Sequence, residues 1–98
     1  RIVAQKNVGA GFSAQINQRN SQIQKIFDDQ QRLRENMKAL KGSAEEKALL
    51  QRYTAQLNDQ ETRLDSLRKE LADLEAQRQR AQSELDKLIQ DLALDVTL

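Results

Sequence analysis

The side chains that most often move protons, attack carbonyls or hold metals are missing from this sequence, which has no histidine and no cysteine. Their absence removes the usual general bases, thiol nucleophiles and soft metal ligands. What remains is carboxylates and hydroxyls. The acidic pairs Asp28-Asp29 and Glu45-Glu46 are adjacent in the chain. On a helix, neighbours point roughly 100° apart, so neither pair converges on one proton or one ion. Gly9-Ala10-Gly11 lacks the third glycine and the following lysine or acidic residue of a nucleotide-binding loop, and reads as a flexible, small-residue position. The residues therefore predict no catalytic site, no cofactor-binding site and no metal site, and the chain is not expected to be an enzyme.

Charge argues against two classes of partner. Sixteen basic residues against fifteen acidic ones leave a net charge of +1 across 98 residues. Arg63, Arg68, Lys69, Arg78 and Arg80 are interrupted by Glu61, Asp65, Glu70, Asp73 and Glu75. No basic stripe with exposed aromatics emerges, so no nucleic acid is expected, although a coiled-coil arm that binds it is the competing class. Mixed charge also disfavours a membrane surface. No apolar run approaches the roughly 18–20 residues that span a bilayer, so no membrane insertion is expected, and none reads as a signal peptide. The chain begins at Arg1 rather than methionine and reads as a processed product or an excised fragment. Without cysteine the compartment is left open.

The dominant pattern is a heptad. Leu50, Leu57, Leu64, Leu71, Arg78, Leu85 and Leu92 recur every seven residues, and Tyr53, Gln60, Leu67, Leu74, Ala81 and Leu88 repeat three positions later. These are the a and d sites of a coiled-coil helix. The first half carries a weaker version: Ile2, Gly9, Ile16, Ile23, Gln30 and Met37, with Gln5, Phe12, Arg19, Ile26, Leu33 and Leu40. Gly9 and Gly11 lower helix propensity near its start, where helix remains the favoured reading. Between the runs, Gly42 suits the left-handed residue after a helix end, and Ser43 with Glu46 forms a capping box. Lys38 and Lys41 complement the end of one helix dipole, and Glu45 and Glu46 the start of the next. The expected organisation is helix 2–41, turn 42–43, helix 44–92 and a tail 93–98. In that tail Leu94, Val96 and Leu98 alternate as in a short strand, or else form a frayed helix end.

The fold class is therefore all-α, an antiparallel two-helix coiled-coil hairpin. Pairing residues whose numbers total 90 sets Leu40 against Leu50, Leu33 against Leu57, Ile26 against Leu64, Ile23 against Leu67 and Ile16 against Leu74. It also sets Gln30 against Gln60, which reads as a register lock because two amides can satisfy each other. Asp29 falls near Arg63, and Arg34 near Glu61. A parallel homodimer of the second helix would instead oppose Arg63 to Arg68 and Glu70 to Glu75 of the partner copy, which is repulsive. Apolar side chains beside the seam, notably Phe27, Leu49 and Ile89, predict self-association, with two hairpins dimerising into a four-helix bundle.

The stretch Ile26-Phe27-Asp28-Asp29-Gln30-Gln31-Arg32-Leu33-Arg34-Glu35-Asn36-Met37, followed by Glu46-Lys47-Ala48-Leu49-Leu50-Gln51-Arg52-Tyr53, resembles the C-terminal helical tail of large uncharacterised bacterial proteins. These are distantly similar to mucoidy-inhibitor-like proteins, and the resemblance covers about residues 20–75. It implies a bacterial source and a β-rich domain upstream, and it carries no activity or functional residues to this chain. The function expected from the residues is structural: oligomerisation, or docking to a protein partner, for a larger protein.

Overall fold

The computed structural model describes residues 1–97. The protein is all-α, with α1 spanning Ile2–Lys38 and α2 spanning Ala44–Thr97. There is no strand among the described residues. Proline is absent from the sequence, so nothing removes a backbone donor along either helix. Gly9 and Gly11 are carried inside α1 without a break.

Linker 39–43 separates the helices, and its chemistry follows the sequence closely. Gly42 has φ of 92°, the left-handed conformation that costs any side chain with a Cβ. Ser43 is the N-cap of α2: its carbonyl accepts from Lys47 N at 2.9 Å, and its Oγ accepts from Glu46 N at 3.1 Å. Glu46 returns the contact by accepting from Ser43 N at 3.2 Å, and its second oxygen accepts from Lys41 N at 2.6 Å. The capping box thus serves three backbone donors that would otherwise have only water.

α1 stops at Lys38, three residues short of the expected end at 41. Its final turn tightens, with Ala39 N bonding Asn36 O and Leu40 N bonding Met37 O. Residues 39–41 therefore lie outside α1, ahead of the left-handed Gly42.

Two compact units are present, each containing part of both helices. In the unit Asn20–Lys69, Leu33, Leu64 and Leu67 are fully buried and Gln30 lies among them at 2% exposure. Arg63 Nη2 also donates to Gln22 Oε1 at 3.1 Å. In the other unit, Arg1–Arg19 with α2 from Glu70 onward, the core is Ile16, Leu74, Ala81 and Leu85. There Gln5 Nε2 donates to the Ala81 carbonyl at 3.0 Å, and Arg19 Nε lies 4.0 Å from Glu70 Oε2. Every residue of α1 assigned to an a or d site is buried or half-buried, including Gly9 and Arg19.

α2 departs from its assigned stripe at three places. Leu50 is 39% exposed whereas Leu49, placed beside the seam by the heptad, is half-buried. The inward face of the first turns runs through Glu46, Leu49 and Tyr53, the row that begins at the capping glutamate. Arg78 is exposed and bonds Glu75 at 2.6 Å, while Gln77 is half-buried. Burying an unpaired guanidinium would cost more than the layer returns. Leu92 is 53% exposed.

Of the short strand and the helix end that the tail allows, the helical one is observed. Residues 93–97 continue α2, and Leu98 lies outside the described residues. Leu88, Asp91, Leu92 and Asp95 sit at helical spacing on one open groove with Arg1, Ile2 and Val3. Three alternating residues with no sheet edge to join among the described residues cannot satisfy their backbone as a strand, whereas a helix satisfies it internally.

Candidate functional site

The polar layer within unit Asn20–Lys69 is where the two expected register residues meet their partners. Gln30 Nε2 donates to Glu61 Oε1 at 3.0 Å, and Gln60 Nε2 donates to Asp29 Oδ2 at 2.6 Å. The expectation that the two amides bond each other is therefore corrected. Each glutamine bonds the carboxylate adjacent in sequence to the other, so the contacts cross. A carboxylate is the stronger acceptor, and it can be reached at the rim of the seam without giving up its water on the other side. Gln60 Oε1 is buried and accepts no hydrogen bond, so the layer is not fully satisfied.

Asp29 also accepts from Arg32 Nε at 2.9 Å, and Arg32 Nη2 lies 2.9 Å from the same oxygen. The Arg32 hydrogen bond is the largest influence on Asp29. Together with the bond from Gln60 and the Arg32 charge, it outweighs the opposing effect of burial and holds the carboxyl below the ordinary aspartate value. Glu46 is likewise held below the ordinary glutamate value, first by the Lys41 N–H and then by Ser43. Asp29 thus bonds Arg32 and Gln60, Glu61 bonds Gln30, and Arg63 bonds Gln22.

Of the other candidates, Phe27 is 42% exposed and Ile89 45% exposed, while Leu49 is half-buried on the inward face. Gln30 is buried and Gln60 half-buried. The two glutamines belong to one polar layer in Asn20–Lys69. Asp29 and Glu61 are members of the layer that the heptad did not select. The signal was available, since pairing at 90 opposes 29 to 61 as well as 30 to 60.

The acidic pairs diverge as their spacing predicts. Asp28 accepts from Gln24 at 3.0 Å whereas Asp29 turns to Gln60. Among the described residues no group of three or more acidic side chains could hold a metal ion. No helix among them is long and apolar enough to cross a membrane. The grooves on the surface are open, and that around Gly9 is lined by Gln5, Lys6, Ala10, Ser13, Ala81, Gln82 and Leu85. Comparison with protein-family models, with curated proteins and with solved structures returns no match to this chain.

Proposed function

We propose that the chain is an antiparallel two-helix coiled-coil hairpin, acting without catalysis as a structural arm of a larger bacterial protein. The arm self-associates, two hairpins forming a four-helix bundle, or it docks a protein partner. The observation that supports this reading best is the polar layer: two crossed hydrogen bonds join pairs totalling 91 and 89, with fully buried Leu33 and Leu64 nearby. The other side-chain contacts joining the helices total between 85 and 89, and a total confined to a narrow range along two helices is what antiparallel pairing requires, with knobs at a and d sites accounting for the buried leucines. Phe27 and Ile89 are large apolar side chains left partly exposed, and a second copy would cover them.

Absent histidine and cysteine leave little for chemistry to use, and balanced charge gives nucleic acid little to hold. Light scattering on the chain at micromolar concentration, with helicity followed by circular dichroism, tests the association. A dimer mass is expected, and a monomer with full helicity overturns the bundle. Filter binding to RNA and duplex DNA across a salt series separates the competing class, since retention that falls steeply with salt would replace the protein-docking reading.

A further inference from the structure

We infer that Asp29 and Glu61 hold the hairpin in a single register, so that the arm is a fixed spacer and not a sliding one. The inference rests on the antiparallel reading above and deepens it. The leucines cannot choose the register alone. Shifting the pairing by one heptad, to a total of 83, still sets Leu33 against Leu50, Ile26 against Leu57 and Ile16 against Leu67. Heptad-spaced leucines are nearly interchangeable, so the apolar seam supplies stability with little preference for position.

The polar layer is not interchangeable. At a total of 83, buried Gln30 would face Tyr53 and Gln60 would face Ile23. Both amides would lose their charged acceptors, because Asp29 and Glu61 move with their own helices. At a total of 97, Gln30 would face Leu67 and Gln60 would face Met37, with the same loss. A buried amide without a partner is expensive, and hydrogen bonds to charged acceptors are the stronger kind. The two carboxylates are thus positioning residues: they make one alignment cheaper than its neighbours. The unsatisfied Gln60 Oε1 fits the same account, since specificity is retained at some expense of stability.

The chain has no cysteine, so two introduced thiols report one alignment without interference. Cysteines at Leu33 and Leu57 report a total of 90, at Leu33 and Leu50 a total of 83, and at Leu33 and Leu64 a total of 97. In the otherwise unaltered chain, mild oxidation should give an intramolecular disulfide for the first pair only. Adding Asp29→Ala with Glu61→Ala should raise the yield of one of the slipped disulfides at least about tenfold, which is the effect of losing a single hydrogen bond of this kind. Asp29→Asn with Glu61→Gln keeps an acceptor oxygen and should restore the single register. Slipped disulfides in the unaltered background, or no increase with the alanine pair at unchanged helicity, would overturn the register role while leaving the hairpin standing. Failure of all three cysteine pairs to close within one chain would overturn the hairpin itself.

Discussion

Gln60 and Asp29 are hydrogen-bonded at 2.6 Å between α2 and α1, and Gln30 and Glu61 repeat the contact at 3.0 Å with the roles of the helices exchanged. Each contact pairs a seam amide with a rim carboxylate, and each leaves the second carboxylate oxygen free for water or for Arg32. Two glutamines that bonded only each other would have neither the charge nor the outlet to solvent.

Replacing both Gln30 and Gln60 with leucine should stabilise the fold. The change removes the unsatisfied Gln60 Oε1 and adds an apolar layer, and Asp29 and Glu61 can turn to water. A gain of about 1–3 kcal/mol is expected in urea unfolding monitored by circular dichroism. A loss of similar size would mean that the amides support the structure outright.

Gly9→Ala and Gly11→Ala should each stabilise α1 by about 1 kcal/mol, because alanine is the better helix former. A Cβ at either position meets nothing within 4 Å, so no clash opposes the gain. Gly42→Ala should act in the opposite direction by about 1 kcal/mol, since its φ of 92° is strained for any L residue. Thermal melts of the three single variants check both signs.

Ser43→Ala should destabilise by about 0.5–2 kcal/mol through loss of the N-cap. It removes the Oγ that accepts from Glu46 N, and the first turn of α2 should show faster amide exchange than its middle.

Acid should weaken the fold through Asp29 and Glu46. Both carboxyls sit below the ordinary aspartate and glutamate values in the folded chain, so folding favours their ionised forms. Their contribution is complete above those values and is lost as pH falls below them, through the lower folded-state range. Melting temperature should decline between pH 5 and about pH 2, and Asp29→Asn should flatten part of that decline. An unchanged slope in the Asp29→Asn variant would show that its bonds to Arg32 and Gln60 do not matter in solution.

Much of the local structure was legible in the sequence because it depends on nearest neighbours along the chain. Gly42, Ser43 and Glu46 place the break and the start of α2 at the expected residues, since capping geometry is satisfied within one turn. The inward residues of α1 follow the heptad for the same reason. What was not legible depends on relations across the chain. The early end of α1 at Lys38 comes with a final turn that tightens through Ala39 and Leu40 ahead of Gly42. The exchange of Leu49 for Leu50 follows from the row set by Glu46. The crossed partners of the glutamines were missed because a heptad ranks residues by apolarity and passes over acids at its flanks. Between the strand and the helix end that the tail allows, a three-residue alternation weighs less than helical continuity from Leu88.

Spin labels at Lys6→Cys and Glu84→Cys test the central claim most directly. Both positions are exposed, their numbers total 90, and both lie in the unit formed by Arg1–Arg19 and α2 from Glu70 onward. Measured by double electron–electron resonance in an excess of unlabelled chain, a hairpin places them about 20 Å apart, two packed helices plus the label tethers. An unbroken helical rod through Gly42 would separate them by about 117 Å at ~1.5 Å per residue. A narrow distribution near the short distance is the predicted result, and the absence of any population below about 40 Å would contradict the hairpin.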